Sequence, residues 1–199
     1  SDLIDPRKEK KIFAKVMLPF LHAGFDKGVM IGAAQGSGTV KPTDVTDRKV
    51  MQGLETISLT TAAKSAKTSE KILRTTIKQV LKDEGSVHDL ATAINQKFKT
   101  GKRWRAMRIA RTELTGTIGY GTKEGLKAEG YLEQEWFTNL DDRARASHMA
   151  AHGDVAPINE YFFLNGHRCR YPGDNMLPVE ERVNCRCTVV GSGLPARIA

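Results

Sequence analysis

The residues best equipped for chemistry lie in the last third of the 199-residue chain. There Asp141-Asp142-Arg143-Ala144-Arg145-Ala146-Ser147-His148 is followed by Tyr171-Pro172-Gly173-Asp174 and then by Asn184-Cys185-Arg186-Cys187. Cys185 and Cys187 alternate across one residue, so on a strand both would project to the same side. His148 and His152 are four apart and would share a helical face. Together these four residues form a candidate tetrahedral site for a structural zinc ion, which takes thiolate and imidazole ligands. His167 and Cys169 are a rival ligand pair. Against this, the spacing is C-x-C rather than C-x2-C. The plain alternative makes the cysteines small buried hydrophobes and His148 a hydrogen-bonded support.

The same side chains could also act on a substrate. His148, with Asp141 or Asp142 and a nearby cysteine, would supply a base, an orienting acid and a nucleophile. A histidine flanked by Arg143, Arg145 and Arg186 would suit RNA cleavage by general acid–base chemistry. Nothing in the spacing makes these atoms converge. The favoured reading is that the Asp and Arg residues form ion pairs that lock a loop-rich domain, and no catalytic residue is assigned.

A second feature is electrostatic. Lys97, Lys99, Lys102, Arg103, Arg105, Arg108 and Arg111 follow one another without an Asp or Glu, with Trp104 among them. Such a stretch can track a phosphate backbone with salt-sensitive, sequence-independent affinity. It can equally be a solvated helix start or a surface that docks on an acidic protein. The formal charge of +8 and pI near 9.5 favour acidic partners in general. No apolar run reaches the roughly 18 residues of a membrane span, and the amino end lacks the basic-then-apolar plan of a signal peptide. Three cysteines, an odd number, argue against a disulfide-stapled secreted scaffold and for reduced thiols inside a cell.

The elements that must hold these residues read as an all-helical first half and a small α+β second half. Ile12, Phe13, Val16, Met17, Phe20, Leu21, Gly24 and Phe25 form an apolar helical stripe, which Pro19 should kink or split. Residues 32–39 read as a flexible break. A second helix carries Val50, Leu54, Ile57 and Thr61, and a third starts at Thr68 or Ser69 and ends near Gly85. A fourth opens at Ser86, with short loops and antiparallel neighbours between them. On a fifth helix Trp104, Met107, Arg111, Leu114, Ile118, Gly121, Gly125 and Ala128 make one seam. Its narrowing toward glycine predicts close approach of another backbone. Arg111 in that apolar row predicts a carboxylate partner among Glu113, Asp141, Asp142, Glu180 and Glu181; the alternative is that it snorkels to solvent along the helix. Strands are predicted over 131–138 and around 183–190, with a short helix over 142–152.

Taken in order, Ala110-Arg111-Thr112-Glu113, Trp136, Asp142-Arg143-x-Arg145-x-x-His148, Tyr171-Pro172-Gly173-Asp174 and Asn184-Cys185-Arg186-Cys187 resemble the phage Mu F-like family of head morphogenesis, or minor head, proteins. The resemblance covers residues 102–190. His152-Gly153 departs from it, because family members often carry an acidic or amide residue before that glycine. The resemblance implies a framework role for Arg111, Glu113, Asp142, Arg143, Arg145, His148 and Asn184. It also implies a minor capsid protein, present in few copies in the virion, either in the capsid interior or at the portal vertex. Expected partners are the portal protein, a major capsid or scaffolding protein and packaged double-stranded DNA, with a role in head assembly, packaging or ejection. The competing expectations are a toxin-like RNase using His148 and a plain basic DNA-binding module. The expected organisation is a helical arm over 1–101, the family domain over 102–190 and a flexible tail over 191–199.

Overall fold

The computed structural model of the chain describes residues 6–83 and 87–196. Helices come first: α1 (Pro6–Ala33), α2 (Pro42–Val45), α3 (Arg48–Lys82) and α4 (Val87–Glu129). They are followed by β1 (Glu133–Phe137), α5 (Ala146–Ala150), β2 (Val155–Pro157), β3 (Phe162–Leu164), β4 (His167–Cys169), α6 (Val179–Arg182) and β5 (Thr188–Ser192). The fold is α+β, with a largely helical first half and a small sheet-containing second half.

The helices are fewer and longer than the cap signals imply. Thr68 and Ser69 lie inside α3 rather than at a start. No Pro or Gly separates them from the preceding turns, and helical Ser and Thr hydroxyls can turn back onto their own helix. Gly101 likewise lies inside α4; one interior glycine costs about 1 kcal/mol, too little to interrupt so long a helix. The expected boundary between residues 101 and 102 therefore falls within a continuous element. Pro19 lies within α1, which runs on through Gly32 to Ala33. Gly38, at φ +72°, then donates its N–H to the Ala33 carbonyl and closes the helix end. The expected cap at Ser86 lies outside the described residues.

The narrowing seam on α4 meets α1 backbone to backbone. A Cβ built on Gly121 would lie 2.0 Å from the Phe25 carbonyl oxygen, and one on Gly28 only 2.2 Å from that of Ile118. Gly125 faces Val29 and Gly32 faces Thr122 in the same way. Glycines four apart on both helices thus leave one bare face on each, and side chains on either would separate the pair. Leu21, Phe25, Val29, Val50 and Leu54 fill the space beside this contact as one apolar core.

A second core belongs to the carboxyl-terminal half and is centred on Trp136, Phe162, Leu164, Cys169, Tyr171 and Val189. Tyr120 of α4 joins the two cores, edge-on to Phe25 at 5.1 Å and stacked on Tyr171 at 5.5 Å. The sheet order is β2-β1-β5, antiparallel throughout. Alternation along β1 buries Gln134 and Trp136. β3 and β4 form a hairpin whose turn, Asn165-Gly166, has positive φ at both residues, as a type I′ turn requires.

The start of the expected loose tail is tied down. Gly191 and Ser192 belong to β5, Gly191 donates its N–H to the Gln35 side chain, and Ala196 donates its own to the Gly130 carbonyl.

Candidate functional site

The short motifs converge on two places: a joint that fastens the carboxyl-terminal half to α4, and a buried cluster around His148. In the joint, Gly116 and Gly119 of α4 receive the Tyr171-Pro172-Gly173-Asp174 turn. A Cβ on Gly116 would come within 2.7 Å of the Gly173 carbonyl oxygen, and one on Gly119 within 2.8 Å of that of Pro172. Gly173 itself has φ +82° and its absent Cβ would strike Gly116, so both sides of the contact need glycine. Asp174 organises the turn by accepting from the Arg170 backbone N–H at 2.9 Å, from Arg170 Nε at 2.8 Å and Nη2 at 2.9 Å, and from the Met176 N–H. Burial would raise its carboxyl, but these hydrogen bonds and the Arg170 charge outweigh that and hold it below the usual carboxylate range.

Arg182 completes the joint. Its Nη2 donates to both Glu113 oxygens at 3.1 and 3.0 Å, and its Nε donates to the Gly173 carbonyl. Both members of this ion pair are buried. Asn184, in the left-handed region at φ +54°, donates its N–H to Thr112 Oγ1. Thr112 and Glu113 of the Ala-Arg-Thr-Glu segment therefore face inward. Arg111 does not: it is exposed, which corrects the expected buried pairing. On α4 it lies one residue before the inward pair, and Glu113, one of the five carboxylates named as candidate partners, instead receives Arg182.

The second place lies between the end of β1, α5 and the segment joining α6 to β5. His148 is 2% exposed, Cys185 3% and Cys187 8%. His148 Nδ1 stands 3.2 Å from Cys187 Sγ and 3.7 Å from Cys185 Sγ. On the other side of the ring, Nε2 is 3.1 Å from Glu181 Oε2. Glu181 also accepts from Ser147 Oγ and Asn165 Nδ2. Burial would raise the Glu181 carboxyl, and these donors with His148 bring it below its usual range. Thr138 closes the wall: its Oγ1 accepts from Trp136 Nε1, donates to the His148 carbonyl and lies 3.4 Å from Cys187 Sγ. The Trp136 ring packs edge-on against the imidazole at 5.8 Å.

The two thiols share their protons unequally. A hydrogen bond from Cys185 holds Cys187 well below the ordinary thiol range, with His148 and Thr138 adding to the effect against burial. The same bond, and then burial, push Cys185 up.

Of the four expected metal ligands, three come together. Among the described residues His148, Cys185 and Cys187 form a group whose ligand atoms all lie within 4.8 Å of one another. His152 is outside that group: its Nδ1 accepts from the Thr138 N–H and its ring packs on Phe137 at 5.0 Å. The cysteines precede β5 rather than lying in it. The rival pair is split by exposure, with Cys169 buried in the apolar core and His167 at the surface.

Cys187, His148 and Glu181 also have the order of a nucleophile, a base and an orienting carboxylate. The cavity beside them measures only about 20 Å³, room for about one water molecule and not for a nucleotide or an acyl group. Both imidazole nitrogens already face partners, so His148 is not presented to RNA. Asp141, one of the two acids that the catalytic reading would set beside His148, receives the exposed Arg186 guanidinium at 2.5 and 2.7 Å, an ion pair of the kind the favoured reading expects, which lowers its carboxyl to about 2. Asp142 and Arg143 are exposed, and Arg145 donates to the Val183 carbonyl. Glu181 and Arg182 are the site residues that sequence reasoning missed in these roles. They sit side by side in a four-residue helix, α6, and no local pattern marks either as buried.

The side chains of Lys97, Lys99, Lys102, Arg103 and Arg105 lie outside the described residues; Arg108 is exposed on α4. No described helix is long and apolar enough to cross a membrane.

The phage Mu protein F like family model matches residues 70–190. The chain belongs to that family. Its members are phage head morphogenesis proteins, and the match begins within α3, well before the quoted motifs. No curated protein and no solved structure matches the chain.

Proposed function

We propose that this chain is a minor capsid protein of a tailed phage or prophage that associates with the portal vertex and acts in head assembly, DNA packaging or ejection. The observation that carries the reading is the family match over 70–190, together with what its motifs do here. Thr112-Glu113, the Tyr-Pro-Gly-Asp turn, Arg182 and Asn184 are spent on fastening a compact unit to a long helix, not on opening a substrate cleft. Such a unit, at the end of long helices, suits a protein that bridges other head components. Portal and major capsid or scaffolding proteins are the partners proposed. The run from Lys97 to Arg108 is the proposed contact with packaged double-stranded DNA, with a salt dependence set by phosphate neutralisation.

Co-expression with cognate portal and major capsid proteins, followed by purification of heads, tests this reading. The chain is expected to co-purify with portal-containing heads, and its absence from them would overturn the proposal. An RNase reading is separated by incubating wild type and His148→Ala with RNA. No cleavage by either is expected, whereas cleavage that depends on His148 would favour an enzyme.

A further inference from the structure

We infer that His148 Nδ1, Cys185 Sγ and Cys187 Sγ bind one zinc ion, with the fourth coordination position open to solvent. This does not rest on the capsid reading. Tetrahedral zinc has Zn–N and Zn–S bonds of about 2.0 and 2.3 Å, which places a ligating nitrogen and sulfur about 3.5 Å apart. The observed separations of 3.2 and 3.7 Å bracket that distance. Two thiols and an imidazole are the donor set that selects zinc over hard cations such as magnesium or calcium.

The surroundings of the histidine make the case more specific. Nε2 faces the Glu181 carboxylate at 3.1 Å, which would hold the proton on Nε2 when Nδ1 ligates a metal. A carboxylate behind a ligating histidine fixes its tautomer and raises its basicity. Glu181 is itself held by Ser147 and Asn165, so the imidazole is orientated before any metal arrives. Two thiolates would neutralise the dication, which suits an interior site.

The fourth ligand is not a protein group of this cluster. Thr138 Oγ1 is already committed to Trp136 and the His148 carbonyl, and His152 serves the Thr138 N–H. What remains is the cavity of about 20 Å³ walled by His148, both cysteines, Asn184 and Arg143. It accommodates about one water, which would complete the tetrahedron. Bound metal would tie α5 to the segment before β5, where Cys185 and Cys187 precede the strand that pairs with β1.

Cobalt and zinc titration of the full, reduced, chelator-treated chain tests the site. One equivalent of Co²⁺ should give the visible bands of a tetrahedral ion with a thiolate charge-transfer band, and zinc should displace it. Cys169→Ser should keep the spectrum. Cys185→Ser and Cys187→Ser should each lose charge-transfer intensity, and Glu181→Gln should weaken affinity roughly 10- to 100-fold. Because a cysteine variant can fail to fold, the wild type alone is decisive. A wild type folded by circular dichroism but without a tetrahedral cobalt spectrum overturns the inference, as does a spectrum that survives Cys185→Ser/Cys187→Ser.

Discussion

The seam between α1 and α4 and the joint between α4 and the carboxyl-terminal half lie on the same long helix but are held by different means. The seam is mainly shape: bare glycine faces on both helices, with Phe25 and Val29 beside them. The joint is shape plus a buried ion pair, in which Gly116 and Gly119 admit a turn and Glu113 captures Arg182. A shape-held contact tolerates little added volume, whereas a charge-held one tolerates the removal of both partners better than the removal of one. The helical half thus serves as a close-packed support, and the buried Glu113–Arg182 pair helps place the smaller unit.

The largest effect is expected in the seam. Gly121→Val, whose added atoms would meet the Phe25 carbonyl, should lower stability by more than about 3 kcal/mol. Denaturant unfolding monitored by circular dichroism would show it, and a near-neutral result would mean that the helices do not touch there. Next comes the joint. Arg182→Met should cost about 3–5 kcal/mol by stranding Glu113, and Glu113→Leu/Arg182→Met together should recover much of that loss. If the double variant were no better than the single, the pair would not be coupled. At the surface, Arg186→Met removes the partner of exposed Asp141 and should leave the melting curve superimposable on wild type.

Acid should separate the regions further. Asp174 and Glu181 both have folded carboxyls below their usual range. Their contribution is present above the unfolded-state pKa of about 4 and is lost as pH falls through the lower folded values. Melting temperatures measured with chelator present should therefore fall below about pH 4. Asp174→Asn and Glu181→Gln should flatten that limb, and unchanged acid sensitivity would assign it elsewhere. Arg111→Leu should likewise change stability by no more than about 0.5 kcal/mol, because the side chain is exposed.

Much of this division was legible from the residues. The glycines of the α4 seam announced a close backbone, and the strand predicted over 131–138 contains β1. The Cys-x-Cys pair and His148 were named together as candidate ligands, and the fold brings those three together without His152. What escaped notice depended on tertiary contact. Arg111 and Glu113 are two apart on one helix, and the spacing alone misassigned which one turns inward. Glu181 and Arg182 are neighbours with opposite tasks, one behind His148 and the other behind Glu113, decided only when α6 packs between both. Helix boundaries at Thr68 and Gly101 failed because capping residues and a single glycine compete poorly with long continuous helices.

In the proposed function this chain is a structural part of the phage head, used sparingly at the portal vertex. Calibrated mass spectrometry of purified heads tests that most directly, by counting this chain against the portal and shell proteins. A few copies are expected in every portal-containing head. Absence from heads, or abundance matching the shell protein, would contradict it.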